Sequence, residues 1–232
     1  KKILHAAGVE IAGYVKQVGE LKIQNAKLKI QNLKLLRKQV EKNIVRCPDQ
    51  KVAKDMTALI EQVRRAGDSV GGVVEVIATG VPPGLGEPVF GKLSGELMGA
   101  LGSIPAVKGV EIGSGFAAAR MYGSLHNDAL QSQKAKGKGQ KIGIRTTTNN
   151  AGGILGGISN GMPLVARIAI KPASSIHKEQ HTVDKKGKAR KIRVEGRHDP
   201  CLAPRAVPVA EAMVALTLVD AHLRHNVKEL TV

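Results

Sequence analysis

A chain of 232 residues, 42% of them hydrophobic, is long enough for one large domain or two small ones with an apolar core. Aromatic residues make up only 2% and tryptophan is absent, so aliphatic side chains and alanine must build that core. The formal net charge of +17 favours anionic partners: nucleic acid, acidic lipid or a highly charged small molecule. No apolar run reaches the roughly 18 residues of a membrane-spanning helix, so we expect no transmembrane segment.

The two cysteines and the N-terminus indicate where the protein works. Cys47 and Cys201 lie far apart and form no C-x-x-C pair, which favours reduced thiols in a cytoplasmic protein. The N-terminus has two lysines but no apolar stretch, so we expect no signal peptide. Residue 1 is Lys and not Met, so we expect the chain to begin inside a longer gene product.

The first part of the chain alternates predicted strand and helix around a lysine-rich segment. Residues 8–17 are rich in β-branched side chains, and this pattern predicts a strand. A near-perfect tandem heptapeptide follows, LKIQNAK and then LKIQNLK. It suggests either a short coiled coil or, more simply, a low-complexity surface segment over residues 20–44. We expect this segment to protrude and not to be needed for catalysis. Pro48 and Asp49 open a helix predicted to end near Ala66.

The remaining elements follow from β-branched runs, glycine clusters and helical spacing. Predicted strands cover residues 73–78, 107–112, 164–170 and, more weakly, 191–195, whereas predicted helices cover residues 88–102 and 204–225. Shaped or basic loops cover residues 80–86 and 134–141. Apolar residues surround the last helix, which predicts that it is buried between sheets or at a subunit interface. We therefore expect an α+β sandwich with helices as its inner layer.

Three segments carry candidate chemistry, each with a structural alternative. The glycine-rich segment 149–161 suits either a turn or an anion-binding loop. Lys171 and the following serines suit phosphate binding, although a solvated loop is the better interpretation of that segment alone. The segment 196–205 fixes its charged residues between prolines, either as a site or as an ion-pair cluster that caps the last helix. His177 and His181 have the i, i+4 spacing of metal ligands but no third partner, so we expect no metal.

Together these segments resemble chorismate synthase. The resemblance runs from about Val45 to His225. It rests on long motifs that occur in the family's order: VRCPD, GDSVGGVVEV, GVPPGLGEPVF, AVKGVEIGSGF, NNAGGILGGISNG, KPASSI, GRHDPC and RAVPVAEAM. It implies a β-α-β sandwich with helices between antiparallel sheets, and a homotetramer. Residues 1–17 also resemble the family, and residues 20–44 are the main departure. We therefore expect residues 1–232 to be the C-terminal portion of a single domain.

The resemblance also implies a reaction and its cofactor. The family removes phosphate and a proton from 5-enolpyruvylshikimate-3-phosphate in a 1,4-elimination that needs reduced FMN. The resemblance leaves open whether NADPH reduces the flavin on the enzyme itself. The positions that match its flavin-binding pattern are Ala106, Gly156, Lys171, Pro172, Ala173, Ser174, Ser175 and Arg197. Asp199 matches an aspartate proposed to relay the proton, and Pro105 stands where many relatives have Asn.

The same resemblance marks what this chain does not contain. The Ser-His-Gly, Pro-Gly-His and Arg-Ser-Ser-Ala-Arg-Glu-Thr motifs of the family's N-terminal part do not occur in the sequence. His5, His126 and His198 are not expected to replace them, so the 232 residues alone are expected to be inactive. We also expect Lys171, Ser174, Ser175, Arg197 and the Gly156 backbone to converge on one cleft. The alternatives are an inactive fragment or a basic nucleic-acid-binding protein on the same fold, although no specific nucleic acid is expected.

Overall fold

The computed structural model describes residues 2–24, 32–133 and 143–229. Its strands, in chain order, are β1 (Glu10–Val18), β2 (Leu21–Lys22), β3 (Gly72–Thr79), β4 (Val107–Ile112), β5 (Leu130–Gln133), β6 (Gly143–Thr146), β7 (Ile154–Leu155), β8 (Ile158–Ser159), β9 (Leu164–Ile170), β10 (Gln180–Val183) and β11 (Ala189–Ile192). Its helices are α1 (Lys2–Ala6), α2 (Leu33–Val40), α3 (Gln50–Arg65), α4 (Leu93–Gly102), α5 (Gly123–His126) and α6 (Ala203–Glu229), with a 3₁₀ helix at Gly115–Arg120.

One antiparallel sheet organises the chain. Its five strands lie in the order β2-β1-β3-β9-β4, and every neighbouring pair is antiparallel. The other strand pairs, β5-β6, β7-β8 and β10-β11, are two-stranded. The strands predicted at residues 107–112 and 164–170 are confirmed to the residue, whereas the weak strand predicted at 191–195 is wrong by several residues because the chain pairs over 189–192 with β10. The α+β class is confirmed.

Helix α6 packs along one face of this sheet, against β1 and β3, and α4 packs beside it. The contact with β1 is close because Gly13 has no side chain: a Cβ there would lie 3.2 Å from Val207 Cγ1 and 3.3 Å from Glu211 Cγ. The Gly13 N–H donates a 2.8 Å hydrogen bond to Glu211 Oε1. A helix carboxylate thus satisfies a sheet N–H at the centre of the core, as buried polar groups require.

Within this single chain α6 is buried on one face, so its burial between sheets or at a subunit interface stays a prediction for the other face. Val207, Ala210, Val214 and Leu218 are buried against the sheet. On the opposite face Val209, Leu216 and Leu223 are 45%, 60% and 48% exposed. Among the residues that the structure describes, no second large sheet covers that face. The helices therefore form a layer on one face of the sheet, which is half of the predicted sandwich.

The composition of α6 is also that of a membrane span. Within the described ranges, Ala203–Val227 is the stretch whose length and apolar composition are sufficient to cross a bilayer. Core helices share this property because they too are covered by apolar surroundings. The packing of α6 on β1 and β3 accounts for the apolar residues on its sheet-facing side.

The lysine-rich segment is partly packed, which corrects the expectation of a protruding element. Most of the second half of the repeat lies outside the described residues, but α2 packs on β1 with Leu33, Leu36 and Val40 almost fully buried. Asn32 caps this helix, since its Oδ1 accepts a 2.9 Å hydrogen bond from the Leu35 N–H. Its lysines face solvent, so the lysines and the buried face occupy opposite sides of one amphipathic helix.

Two further helices follow the local signals of the sequence. Asp49 caps α3, because its Oδ1 accepts hydrogen bonds from the N–H groups of Lys51 and Val52 at 3.0 and 3.2 Å. Helix α4 begins at Leu93 and not at Pro88, because the chain first makes a turn in which the Glu87 N–H donates to the Gly91 carbonyl at 2.8 Å. The basic loop predicted at 134–141 lies outside the described residues.

Candidate functional site

Three loops meet at one end of the sheet, where β3 begins and its neighbour β9 ends. The first loop, 67–71, leads into β3; the second, 171–179, follows β9; the third, 196–202, precedes α6. Antiparallel pairing of Gly72 with Ile170 brings the first two loops together. The Val70 N–H donates a 2.8 Å hydrogen bond to the Pro200 carbonyl, which attaches the third loop to the first.

Glycine is required where these loops converge. A Cβ at Gly72 would lie 2.6 Å from the Gln17 carbonyl oxygen and 2.9 Å from Ala203 Cβ, the first residue of α6. Both distances are shorter than real Cβ contacts, so any other residue would push β1 and α6 away from β3. The glycine thus brings the start of α6, and with it the loop 196–202, close to the end of β9.

The segment from Lys171 to Ser175 is held by its backbone while its side chains face outward. The Lys171 N–H donates a 3.0 Å hydrogen bond to the carbonyl of Ala106, an alanine held in the left-handed region at φ +70°. The Ser69 hydroxyl donates to the Ala173 carbonyl at 2.6 Å. The Lys171 and Ser174 side chains are exposed and Ser175 is half-buried. The predicted neighbours Ala106 and Lys171 are therefore in direct contact.

The third loop adds Arg197 and Asp199 to the same end of the sheet. Asp199 forms an ion pair with Arg205 in the first turn of α6 and stays about one-third exposed, at 34%. Ser175 and Asp199 line one small cavity of about 60 Å³, together with Asp68, His177 and His198. Arg197, one residue before His198, is exposed. The site and ion-pair interpretations of this loop are therefore compatible, since Asp199 pairs with Arg205 in the first turn of α6 and also lines the cavity.

Some charged side chains of the three loops form ion pairs and others do not. Lys178 forms a 2.7 Å ion pair with Asp68, and its hydrogen bond holds the pKa of that carboxyl below the ordinary value. Arg205 pairs with Asp199. In the part of the chain that the structure describes, Lys171 and Arg197 have no ion-pair partner. Two unpaired cations beside two serine hydroxyls make an environment that suits a phosphate or another small anion.

Gly156 lies apart from the three loops, next to the residue that contacts the start of α4, and its place in one cleft with Lys171 and Arg197 stays a prediction. Its neighbour Gly157 accepts a 2.8 Å hydrogen bond from the Leu93 N–H at the start of α4, whereas Ala106 follows the end of α4. The ten residues of α4 separate these points by about 15 Å. Gly156 also follows β7, beside the start of β9, and Lys171 follows its end.

Two other cavities lie away from the three loops. The Ser114 hydroxyl and His126 Nε2 lie 2.9 Å apart on the wall of a cavity of about 390 Å³ near the end of β4. A larger apolar groove of about 490 Å³ lies between β1 and α2, far along the sheet from the three loops. The sequence motifs assigned no role to either cavity, although Ser114 and Asn150 lie in two of the segments that resemble the family. The three-loop end of the sheet is the site with concentrated anion-binding chemistry, although its cavity is smaller.

His177 and His181 are not arranged as a metal-binding pair on a helix. His177 lies in the loop after β9 and His181 lies on β10. The ring of His177 instead faces the ring of His198 at a centroid distance of 5.6 Å. Among residues 2–24, 32–133 and 143–229, no group of three or more His, Cys, Asp or Glu side chains is placed to hold a metal ion.

Comparison with known proteins tests the resemblance directly. The family model for chorismate synthase matches residues 1–223. The chorismate synthase of Trichodesmium erythraeum (strain IMS101) is 52% identical over 226 residues, which cover 97% of this chain and 58% of the relative. The enzyme of Synechococcus elongatus is 53% identical over 227 residues, covering 97% and 60%. That of Roseiflexus castenholzii is 48% identical over 230 residues, covering 99% and 60%.

A solved structure agrees with these relatives. A crystal structure of a chorismate synthase superposes with a TM-score of 0.77 at 34% identity, covering 97% of this chain and 60% of that one. The chain thus spans about 60% of the length of the relatives that it matches. The resemblance found in the motifs is confirmed over almost the whole sequence, and the chain belongs to the chorismate synthase family.

Proposed function

We propose that the chain is the C-terminal portion of a chorismate synthase, a lyase of the shikimate pathway that serves aromatic amino-acid biosynthesis. In this proposal the whole enzyme converts 5-enolpyruvylshikimate-3-phosphate to chorismate and phosphate. The observation that supports it most is the family match over residues 1–223. The relatives carry the name of this activity and are about 50% identical to this chain over nearly its whole length.

The three-loop end of the sheet fits the phosphate of FMN. Lys171 and Arg197 supply positive charge, and Ser174 and Ser175 supply hydroxyl donors. The buried Nε2 of His198, at the same end of the sheet, finds no hydrogen-bond partner among the described residues. Ala106, Pro172 and Ala173 shape the backbone of the same site. Gly156 would contact the flavin away from the phosphate, because it lies at the other end of α4.

The residues of this chain bind and orient, and one of them handles a proton. Bound reduced FMN supplies electron density that helps the phosphate to leave, with no net oxidation. In the overall elimination the C6–H and the C3–O bonds break, a new double bond forms, and the proton and phosphate depart. Asp199, positioned by its ion pair with Arg205 at the cavity edge, holds or passes a proton at its carboxylate.

The surroundings of this activity are also proposed. We propose a cytoplasmic homotetramer, which the open apolar face of α6 supports because that face needs a partner or further chain to cover it. The nucleic-acid alternative has less support, because it rests on charge alone and its basic loop at 134–141 lies outside the described residues. The motifs of the family's N-terminal part are not in this chain, so the 232 residues alone are proposed to be inactive.

A comparison of two flavins tests the proposed cofactor site. Fluorescence titration of the chain should show FMN binding at least about tenfold more tightly than riboflavin, because only FMN carries the phosphate that Lys171 and Arg197 attract. Lys171→Met and Arg197→Met should each remove most of that difference. Lys188→Met, in the exposed turn between β10 and β11, is the matched control. Equal affinities for FMN and riboflavin in the unaltered chain would contradict the proposed site.

A further inference from the structure

His198 lies at the centre of the three-loop end of the sheet, between two residues with proposed roles. Arg197 precedes it and is exposed, and Asp199 follows it and pairs with Arg205. The His198 side chain turns inward, where its Nε2 has almost no solvent exposure. Because Arg197 and Asp199 are its covalent neighbours, the position of the His198 backbone sets where their side chains begin.

The inward ring makes a specific contact with the second loop. The rings of His198 and His177 lie 5.6 Å apart with an angle of 57° between their planes. His177 is itself fixed, since its N–H donates a 3.0 Å hydrogen bond to the Gly67 carbonyl. A Cβ at Gly67 would lie 3.2 Å from the Cβ of His177, so the first loop also packs directly on this residue. His198 therefore contacts a residue of the second loop that the first loop holds by a backbone hydrogen bond.

The docked ring of His198 lies on the wall of a small cavity. His198 and Ser175 both line the cavity of about 60 Å³. A cavity of this size has room for at least one water molecule, and a buried polar atom normally has a hydrogen-bond partner. Ser175, Asp68 and Asp199 supply the further polar partners that an enclosed water needs.

We infer that His198 is a positioning residue, which docks on His177 and hydrogen bonds through Nε2 to a water in this cavity, and thereby holds Arg197 and Asp199 in place. The role assigned to those two residues rests on the proposed function, whereas the docking itself does not. His198 acts through its neighbours and touches neither substrate nor flavin. The His198 ring thus makes two separate interactions: an apolar contact with His177, and a hydrogen bond into the cavity.

Three substitutions of His198 in the 232-residue chain separate these effects. His198→Ala removes both, and should weaken FMN binding about tenfold, which corresponds to the net contribution of roughly one hydrogen bond. His198→Gln keeps an N–H at a similar distance from the backbone and should recover most of the affinity. His198→Phe keeps the ring contact alone and should not recover it. His181→Ala, an exposed histidine on β10, should bind FMN like the unaltered chain.

Amide hydrogen exchange without flavin decides the docking independently of the proposed function. His198→Ala should speed exchange of the amides at residues 197–199 and 174–177 at least about tenfold relative to the rest of the chain, because local opening becomes easier. Unchanged exchange there would overturn the inference even if FMN binds. Recovery of affinity by His198→Phe as complete as by His198→Gln would overturn the hydrogen-bond role. If the unaltered chain does not prefer FMN, the proposed function fails and the exchange result still decides the docking.

Discussion

Glu75 of β3 and Arg167 of β9 form an ion pair at 3.2 Å across neighbouring strands, and both side chains are largely buried. Glu75 also accepts hydrogen bonds from the Tyr14 hydroxyl and from Lys16, and Arg167 also pairs with Glu111 at 2.9 Å. Burial, and then the negative charge of Glu75, raise the pKa of Tyr14. A chain of charges thus links β1, β3, β9 and β4 through the sheet.

Removing one member of this network should cost more stability than removing an exposed ion pair. Arg167→Met leaves Glu75 and Glu111 partly uncompensated, and we expect the free energy of unfolding to fall by about 3 kcal/mol. Arg64→Met, which removes a surface ion pair with Glu61, should cost less than about 1 kcal/mol. Urea unfolding measures both. The double variant Arg167→Met with Glu75→Gln should lose less than the sum of the single losses, and strict additivity would contradict a coupled network.

Asp128 is expected to make the chain sensitive to acid. Burial alone would raise the pKa of Asp128, but hydrogen bonds from the Thr148 hydroxyl and from the N–H groups of Ala151 and Asn150 hold it below the ordinary value. A lowered pKa in the folded state means that this stabilisation is complete above the unfolded pKa of about 3.9 and is lost as pH falls through the folded value.

The substitution Asp128→Asn tests this directly. An amide cannot accept on both atoms, so we expect a loss of about 2 kcal/mol at pH 7 and a flatter decline of stability between about pH 5 and 2. Asp220→Asn, at an exposed position on α6, is the control and should keep both the stability and the slope. Urea midpoints across this pH range give the answer, and an unchanged slope in Asp128→Asn would exclude the assigned role.

Both thiols are expected to be inert in the folded chain. Burial raises the pKa of Cys47 to about 11 and also raises the pKa of Cys201. Because the thiolate is the reactive form, a thiol-specific disulfide reagent at pH 8 should react only as the chain unfolds. Val183→Cys, at a position that is 64% exposed, provides a fast-reacting reference. Native cysteines that react as quickly as that reference would show that the two thiols are accessible.

The sequence predicts this fold best where local chemistry sets the limits of an element. Strands 107–112 and 164–170 are β-branched runs bounded by glycine or proline, and Asp49 is a helix cap, so each could be predicted without knowledge of its neighbours. The spacing of Leu33, Leu36 and Val40 is that of one helix face, but these residues stand among lysines next to the heptapeptide repeat. The helix was therefore not predicted. The face of α6 was not predictable in the same way, because apolar composition shows that a surface needs cover and not which chain covers it.

The contacts of the candidate site also differ in how far the sequence could predict them. Lys171 and Ala106 follow and precede neighbouring strands, so a prediction that β9 and β4 pair would already have placed them together. The separation of Gly156 from Lys171 depends on the direction in which α4 runs, which no local pattern specifies. The docking of His198 on His177 depends on the close approach of three loops, and a single histidine in a sequence carries no sign of such a contact.

The open face of α6 should govern the solution behaviour of the chain. Leu216→Glu changes a residue that is 60% exposed, so we expect an unchanged melting temperature and less self-association. Val214→Glu, two residues away but 3% exposed, should destabilise the chain by about 3 kcal/mol or more because it buries a charge. Thermal melts and sedimentation velocity measure the two effects. If Leu216→Glu destabilises as strongly as Val214→Glu, that face is covered in the native chain.

The most consequential prediction concerns catalysis: the 232 residues alone should bind flavin phosphate but form no chorismate at a rate near that of an intact relative. Arg197 and Asp199 can hold an anion and manage a proton, but the elimination also needs donors on the departing phosphate within hydrogen-bond reach. Catalytic groups that act as a unit are not additive, so a chain without a whole set of them should lose far more than a single variant does. Purified chain, substrate and chemically reduced FMN under anaerobic conditions, with phosphate and chorismate release measured, make the test. Turnover comparable to the enzyme of Trichodesmium erythraeum (strain IMS101), assayed in parallel, would place the essential machinery within these residues.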